Sequence, residues 1–144
     1  MLDLMKYKQV GEKVLIRIDK NEEIIQTIHH ICNQLQIKAG TITGIGATNK
    51  CTLGLFHTKT KQYESKEFIG DYEITSLLGN ISTMKNDVYI HIHVTLCNSD
   101  QNAIGGHLSS AFISATFEGV IEVINDELPR SFHEKTGLNL LELK

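Results

Sequence analysis

The strongest pattern along the chain is an alternation of apolar and polar positions from Tyr89 to Leu96. Every second residue is apolar, and aromatic, imidazole or hydroxyl side chains stand between them: Ile90, Ile92, Val94 and Leu96 alternate with Tyr89, His91, His93 and Thr95. A period of two with β-branched residues is typical of a strand with one face on a core. The pattern therefore predicts a strand that presents His91 and His93 on the same face.

A second periodicity, with helical spacing, lies nearer the amino terminus. Six residues form one apolar stripe: Ile24, Ile25, Ile28, Ile31, Cys32 and Leu35. The stripe predicts one long amphipathic helix, from roughly Asn21 to Gln36, that packs its isoleucines on a sheet. We expect Asp19 or Asn21 to cap its first turn, because short polar side chains accept from the free N–H groups there.

The rest of the chain alternates in the manner of strands, after a lead-in over residues 1–11 with a short strand around Tyr7 to Val10. We expect about eight strands in a mostly antiparallel sheet. Together with the helix they predict an α+β fold in a single domain over residues 1–144.

The register of the histidine strand depends on the turn that precedes it. A long strand over residues 72–82 leads into a polar turn at Lys85 and Asn86. A turn centred on those two residues would set Asn80 opposite His91 and Leu78 opposite His93. A slip of one residue would reverse the faces.

Composition bears on the class of partner. The formal net charge is −3, and Arg17 and Arg130 are the only arginines. Such a chain has no overall basic field to attract nucleic acid and few guanidinium groups to read guanine edges. Binding of the isolated chain to DNA is therefore expected to be weak or absent at physiological salt.

The cysteines and the apolar runs bear on location. Three widely spaced cysteines, Cys32, Cys51 and Cys97, do not predict a disulfide framework, and they favour a reducing cytoplasm. The first residues lack the apolar segment of a signal peptide, and no apolar run approaches the roughly 20 residues that span a bilayer. We expect a soluble cytoplasmic protein that does not interact with membranes.

Three of the seven histidines form a candidate metal site. His91 and His93 share a strand face, and His107 follows Gly105 and Gly106, whose freedom permits a tight backbone path. Three imidazoles with no cysteine pair nearby favour zinc, although ligand type alone also admits nickel, copper or iron(II). The alternative is a solvated strand face that happens to carry histidines.

The motifs together resemble the PPC domain, the plants and prokaryotes conserved domain that plants join to AT-hook DNA-binding segments. Six stretches carry the resemblance: residues 44–47, 73–82, 91–93, 105–108, 116–118 and 136–138. The resemblance implies a compact α+β protomer that assembles into a homotrimer, with a metal site on His91, His93 and His107. The Arg-Gly-Arg-Pro core of an AT-hook is absent, and Ser110 and Ala111 stand where prokaryotic members are expected to carry glutamate and glycine.

Three functions remain open from the sequence. The first is a metal-binding protein or metalloenzyme whose fourth zinc position takes water or substrate. Asn80 or Thr95 would orient a ligand there, and Glu73 or Glu118 would act as a base if within reach; both glutamates also fit plain surface charges. No reaction or substrate follows from the residues.

The second function is a DNA-associated regulator, supported by resemblance to the plant AT-hook proteins and not by clustered lysine or arginine. The third is a trimeric scaffold for a protein partner, in which the histidines would be structural. Metal content distinguishes the first function from the other two.

Overall fold

The computed structural model describes residues 6–144 as one α-helix and eight β-strands. In chain order the elements are β1 (Lys6–Val10), β2 (Lys13–Asp19), α1 (Ile24–Gln34), β3 (Gly40–His57), β4 (Gln62–Met84), β5 (Asp87–Cys97), β6 (Ala103–Val123), β7 (Arg130–His133) and β8 (Leu138–Leu141). The first five residues of the expected lead-in lie outside the described residues, and the others form β1 and the turn at Gly11. The expectation of a single domain over residues 1–144 stays a prediction.

Six strands form the main sheet in the order β1-β2-β6-β3-β4-β5, and every pairing within it is antiparallel. The long strand β6 also pairs with β5, so that β3, β4, β5 and β6 form a closed ring of neighbours. The prediction of a single sheet of about eight strands is wrong. β7 and β8 form a separate two-stranded sheet.

The prediction of a long amphipathic helix is also wrong, since α1 has only 11 residues. Asn21 and Gln36, the expected ends, have φ angles of 72° and 55°. Residues in this left-handed region cannot continue a right-handed helix. Among the described residues, no helix is long and apolar enough to cross a membrane.

The helix is capped by Glu23, not by Asp19 or Asn21. One carboxylate oxygen of Glu23 accepts from the backbone N–H of Gln26 at 2.8 Å, and the other accepts from the N–H of Ala111 in β6 at 2.9 Å. The backbone N–H of Asn21 donates instead to the carbonyl of Ile113. Glu23 is 7% exposed, so this one buried side chain joins the start of α1 to the main sheet.

The core lies between α1 and one face of the main sheet. Ile24, Ile28, Ile31 and Cys32 are fully buried on one side of α1. They join a cluster of strand residues that includes Ile92 of β5 and Phe117 of β6. The apolar parity of β5 therefore faces inward, which leaves the other parity, with His91 and His93, on the opposite face.

The predicted register of the histidine strand is confirmed. Lys85 and Asn86 have φ angles of 52° and 63°, as a two-residue hairpin turn with positive φ at both positions requires. Asn80 is paired with His91 and Leu78 with His93.

Candidate metal centre

Two neighbouring strands bring the three histidines together. His91 and His93 are two residues apart on β5, and His107 on β6 is paired directly with His93. The glycines before His107 allow this approach. A Cβ on Gly105 would lie 2.6 Å from the carbonyl oxygen of Val94 in β5, and one on Gly106 would lie 2.8 Å from that of Gly54 in β3.

The three imidazoles form a compact cluster. The Nε2 atoms of His91 and His93 are 3.2 Å apart. The ring centroids are separated by 5.0 Å for His91 and His93, 5.3 Å for His91 and His107, and 5.6 Å for His93 and His107. One ring nitrogen from each histidine can be chosen so that all three lie within 4.8 Å of one another.

The separation of one nitrogen pair matches the geometry that zinc requires. Two nitrogens at Zn–N distances of about 2.0–2.1 Å in a tetrahedral site are about 3.3 Å apart, close to the separation between the His91 and His93 Nε2 atoms. The Nδ1 atom of His107 is buried and has no hydrogen-bond partner. A buried polar atom without a partner is costly, and a metal ion would satisfy it.

The environment also favours the protonation state that binds metal. Burial is the main reason that the pKa of His91 is lowered to about 4, and the neighbouring His107, His93 and Arg130 lower it further. Burial, and then His93, likewise lower the pKa of His107. Both imidazoles are therefore neutral at pH 7, and only the neutral imidazole has a lone pair for a metal.

Comparison with known families identifies the chain. The model of the Plants and Prokaryotes Conserved (PCC) domain matches residues 5–125. The chain belongs to the PCC domain family. This confirms the resemblance to the PPC domain, which is the same family. No curated protein matches the chain.

Solved structures of similar proteins cover nearly the whole PCC chain. A Bacteroides thetaiotaomicron protein, provisionally described as DNA-binding, is 37% identical with a TM-score of 0.94, and the match covers 97% of this chain and 98% of that one. A metal-containing protein from Archaeoglobus fulgidus is 32% identical with a TM-score of 0.86, over 99% and 100% of the two chains. A plant- and prokaryote-conserved protein from Pyrococcus horikoshii is 27% identical with a TM-score of 0.85, over 100% and 98%.

The sequence reasoning missed Arg130, the first residue of β7. Arg130 is 9% exposed, and its guanidinium donates three hydrogen bonds, to Ser82 Oγ at 2.6 Å, to Asn80 Oδ1 at 2.6 Å and to the carbonyl oxygen of Asn139 at 2.8 Å. It also lies over the ring of Tyr89, with Cζ 4.8 Å from the centroid. The only local signal was an arginine directly after the sole proline, which does not indicate burial.

Tyr63 is a second residue near the histidine cluster that the sequence did not indicate. Its ring centroid lies 5.5 Å from that of His107. The ring does not depend on the glycine at position 54 in β3, because a Cβ there would lie 3.5 Å from Tyr63 Cδ1, an ordinary van der Waals contact. Burial raises the pKa of the Tyr63 hydroxyl, so the phenol is protonated at neutral pH.

Of the four residues expected to assist the histidines, two lie near them and two lie far along their strands. Asn80 is opposite His91, with its Oδ1 held by Arg130. Thr95 has the strand parity of His91 and His93 and is paired with Gly105. Glu73 is exposed and paired with Cys97, at the far end of β5. Glu118 is exposed and paired with Arg17 and Ile45, far along β6 from His107.

Two grooves among the described residues lie away from the imidazoles. A groove of about 440 Å³ follows the end of α1 beside Asp87 and Glu127, and one of about 380 Å³ is lined by residues of β3, β4 and β6 that include Ile45 and Glu118. Neither contains His91, His93 or His107. The histidine cluster is therefore a candidate site because of its metal-binding side chains and not because of a large cavity.

Proposed function

We propose that this PCC protein binds a zinc ion through His91, His93 and His107. The observation that carries the proposal is the convergence of three ring nitrogens within 4.8 Å. The unpartnered Nδ1 of His107 and the 3.2 Å separation between the His91 and His93 Nε2 atoms support it. The similar A. fulgidus protein, described as metal-containing, points the same way.

Zinc is the proposed metal because three neutral imidazoles without a thiolate are a common zinc ligand set. A zinc ion with three protein ligands keeps a fourth position open and supplies Lewis-acid chemistry there. In this proposal Asn80, opposite His91, is the neighbouring side chain that faces a ligand. Glu73 and Glu118 have no part in it, because their strand positions are far from the imidazoles.

The metal proposal is tested by elemental analysis of protein purified without a histidine tag or added metal. We expect about one zinc per chain, with stoichiometric metal lost in His91→Ala and in His93→Ala. His30→Ala is the matched control, since His30 is exposed on α1. His29→Ala should also retain the metal. Metal-free wild-type protein that binds added zinc no more tightly than His91→Ala does would refute the proposal.

We further propose that the protein is a homotrimer, as the family resemblance implies. Large apolar side chains on β3 and β4 support an assembly, because Ile45, Leu55, Ile69 and Leu78 are each more than half exposed on the single chain. Exposed apolar side chains on neighbouring strands mark interaction surfaces. Light scattering at micromolar concentration should give the mass of three chains. A mass near 16.1 kDa would contradict it.

Two further properties follow from the composition. All three cysteines are free, which supports our proposal of a reducing compartment such as the cytoplasm. A DNA-binding role rests on the provisional description of relatives such as the B. thetaiotaomicron protein. With a formal charge of −3, we propose that DNA is not the main ligand of the isolated chain.

A further inference from the structure

Arg130 brings a positive charge to the strand face that carries the imidazoles. Tyr89, His91 and His93 share one parity of β5, and the Arg130 guanidinium lies 4.8 Å from the Tyr89 ring centroid. Its Nη2 donates to Asn80 Oδ1 at 2.6 Å, and Asn80 is the residue of β4 paired with His91. Contacts from both strands therefore hold the guanidinium beside His91.

This charge has no anionic partner in the described part of the chain. Arg130 is 9% exposed, and its three hydrogen-bond acceptors are all neutral: a hydroxyl, an amide oxygen and a backbone carbonyl. Among residues 6–144, the ion pairs involve other cations, and none places a carboxylate within 4.0 Å of Arg130. Buried charges in proteins are normally paired, because an unpaired one loses its hydration without compensation.

The guanidinium also has donors to spare. Arginine carries five N–H groups, of which three are used by Ser82, Asn80 and Asn139. One N–H on each Nη atom remains. Paired guanidinium donors match the two oxygens of a carboxylate or phosphate. A divalent metal on the three imidazoles would add two more positive charges to the same face.

We propose that this site binds a small molecule through an oxyanion group, a carboxylate or a phosphate, that lies between the metal and Arg130. The inference rests on the proposed metal site, because the metal supplies one of the two cations. The competing explanation is that Arg130 is only a structural tie between β7 and β4. An anion titration distinguishes the two, because a structural tie does not change anion affinity.

The experiment uses the whole protein loaded with Co²⁺, whose visible absorption bands respond to a new ligand. Sodium acetate and inorganic phosphate are titrated separately at constant ionic strength, with sodium chloride as the reference salt. We expect a saturable spectral change with at least one of the two oxyanions, and the tighter of them names the class of group. No saturable change with either one overturns the inference.

The decisive variant is Arg130→Met, which keeps an unbranched side chain over Tyr89 but removes the charge. Charge-assisted hydrogen bonds contribute enough that the Kd of the oxyanion should rise about tenfold or more. Arg130→Lys keeps the charge but loses the paired guanidinium donors, so the Kd of the oxyanion should rise less. This variant preserves the test if Arg130→Met does not fold. Arg17→Ala is the matched control, since Arg17 is the other arginine and pairs with Asp19 on the surface.

Metal content, measured first for each variant, separates the two proposals. Normal metal content with a weaker oxyanion affinity in the Arg130 variants supports the inference. Normal metal content with unchanged affinity in a folded Arg130 variant overturns it and leaves the metal site intact. A wild-type protein that takes up no metal overturns both.

Discussion

Replacement of Glu23 tests how the helix is attached to the sheet. Glu23→Ala removes the acceptor for the Gln26 N–H, an N-cap contribution of about 1 kcal/mol. It also leaves the backbone N–H of buried Ala111 without a partner, at a cost of about 1–3 kcal/mol. The free energy of unfolding should therefore fall by about 2–4 kcal/mol.

Glu23→Asp separates the two contributions. Aspartate is itself a good N-cap residue, but its side chain is one methylene shorter and does not reach Ala111 while it caps Gln26. Its loss of unfolding free energy should therefore be about 1–3 kcal/mol, the part assigned to the Ala111 N–H. Glu134→Ala is the control, since Glu134 is exposed, and should stay within about 0.5 kcal/mol of the wild type.

Urea denaturation followed by circular dichroism measures these differences. All variants are compared at one protein concentration, because the proposed assembly would also contribute to stability. The slope of the transition should not change. If Glu23→Ala unfolds at the same midpoint as Glu134→Ala, the buried carboxylate does not join α1 to the sheet as described. Equal losses in Glu23→Ala and Glu23→Asp would instead assign the whole effect to the Ala111 contact.

Three further predictions concern the site and its environment. The pKa of His91 is about 4 in the folded protein against about 6.5 unfolded, so the unfolded chain binds more protons in that range. The metal-free protein should lose stability as the pH falls from about 6.5 towards 4. The urea midpoint should decline less steeply over this range in His91→Asn than in the wild type, and equal declines in the two proteins would contradict the prediction. In Gly79→Ala the new Cβ would lie 2.4 Å from the His91 carbonyl oxygen, which should destabilise the fold by about 1–3 kcal/mol and weaken zinc binding measured by titration. Gly54→Ala, with its nearest neighbour at 3.5 Å, is the control that should be tolerated. Finally, anisotropy with labelled duplex DNA at two salt concentrations should show weak or no binding at physiological salt, and nanomolar sequence-specific binding would refute that.

Local patterns in the sequence determined the strand that carries the histidines. Alternation with a period of two requires His91 and His93 to share a face, and a two-residue turn at Lys85 and Asn86 sets the register with Asn80. Both are properties of residues adjacent in the chain, where backbone geometry leaves few choices. His107 could be proposed as a ligand from the sequence because Gly105 and Gly106 directly precede it. Its pairing with His93 on the neighbouring strand follows only from the fold.

Tertiary contacts decided the ends of the helix and the charge beside the proposed metal site. The sequence predicted a helix from Asn21, yet Asn21 leaves the helical region where its N–H bonds to Ile113 in β6. A single long-range hydrogen bond can override a helical preference of a few tenths of a kcal/mol per residue. Arg130 is separated from Asn80 and Ser82 by 50 and 48 positions in the chain, and no periodicity relates residues so far apart. Its burial beside the imidazoles exists only because β7 folds back against β4, so the sequence indicated the candidate metal ligands and the tertiary structure their charged neighbour.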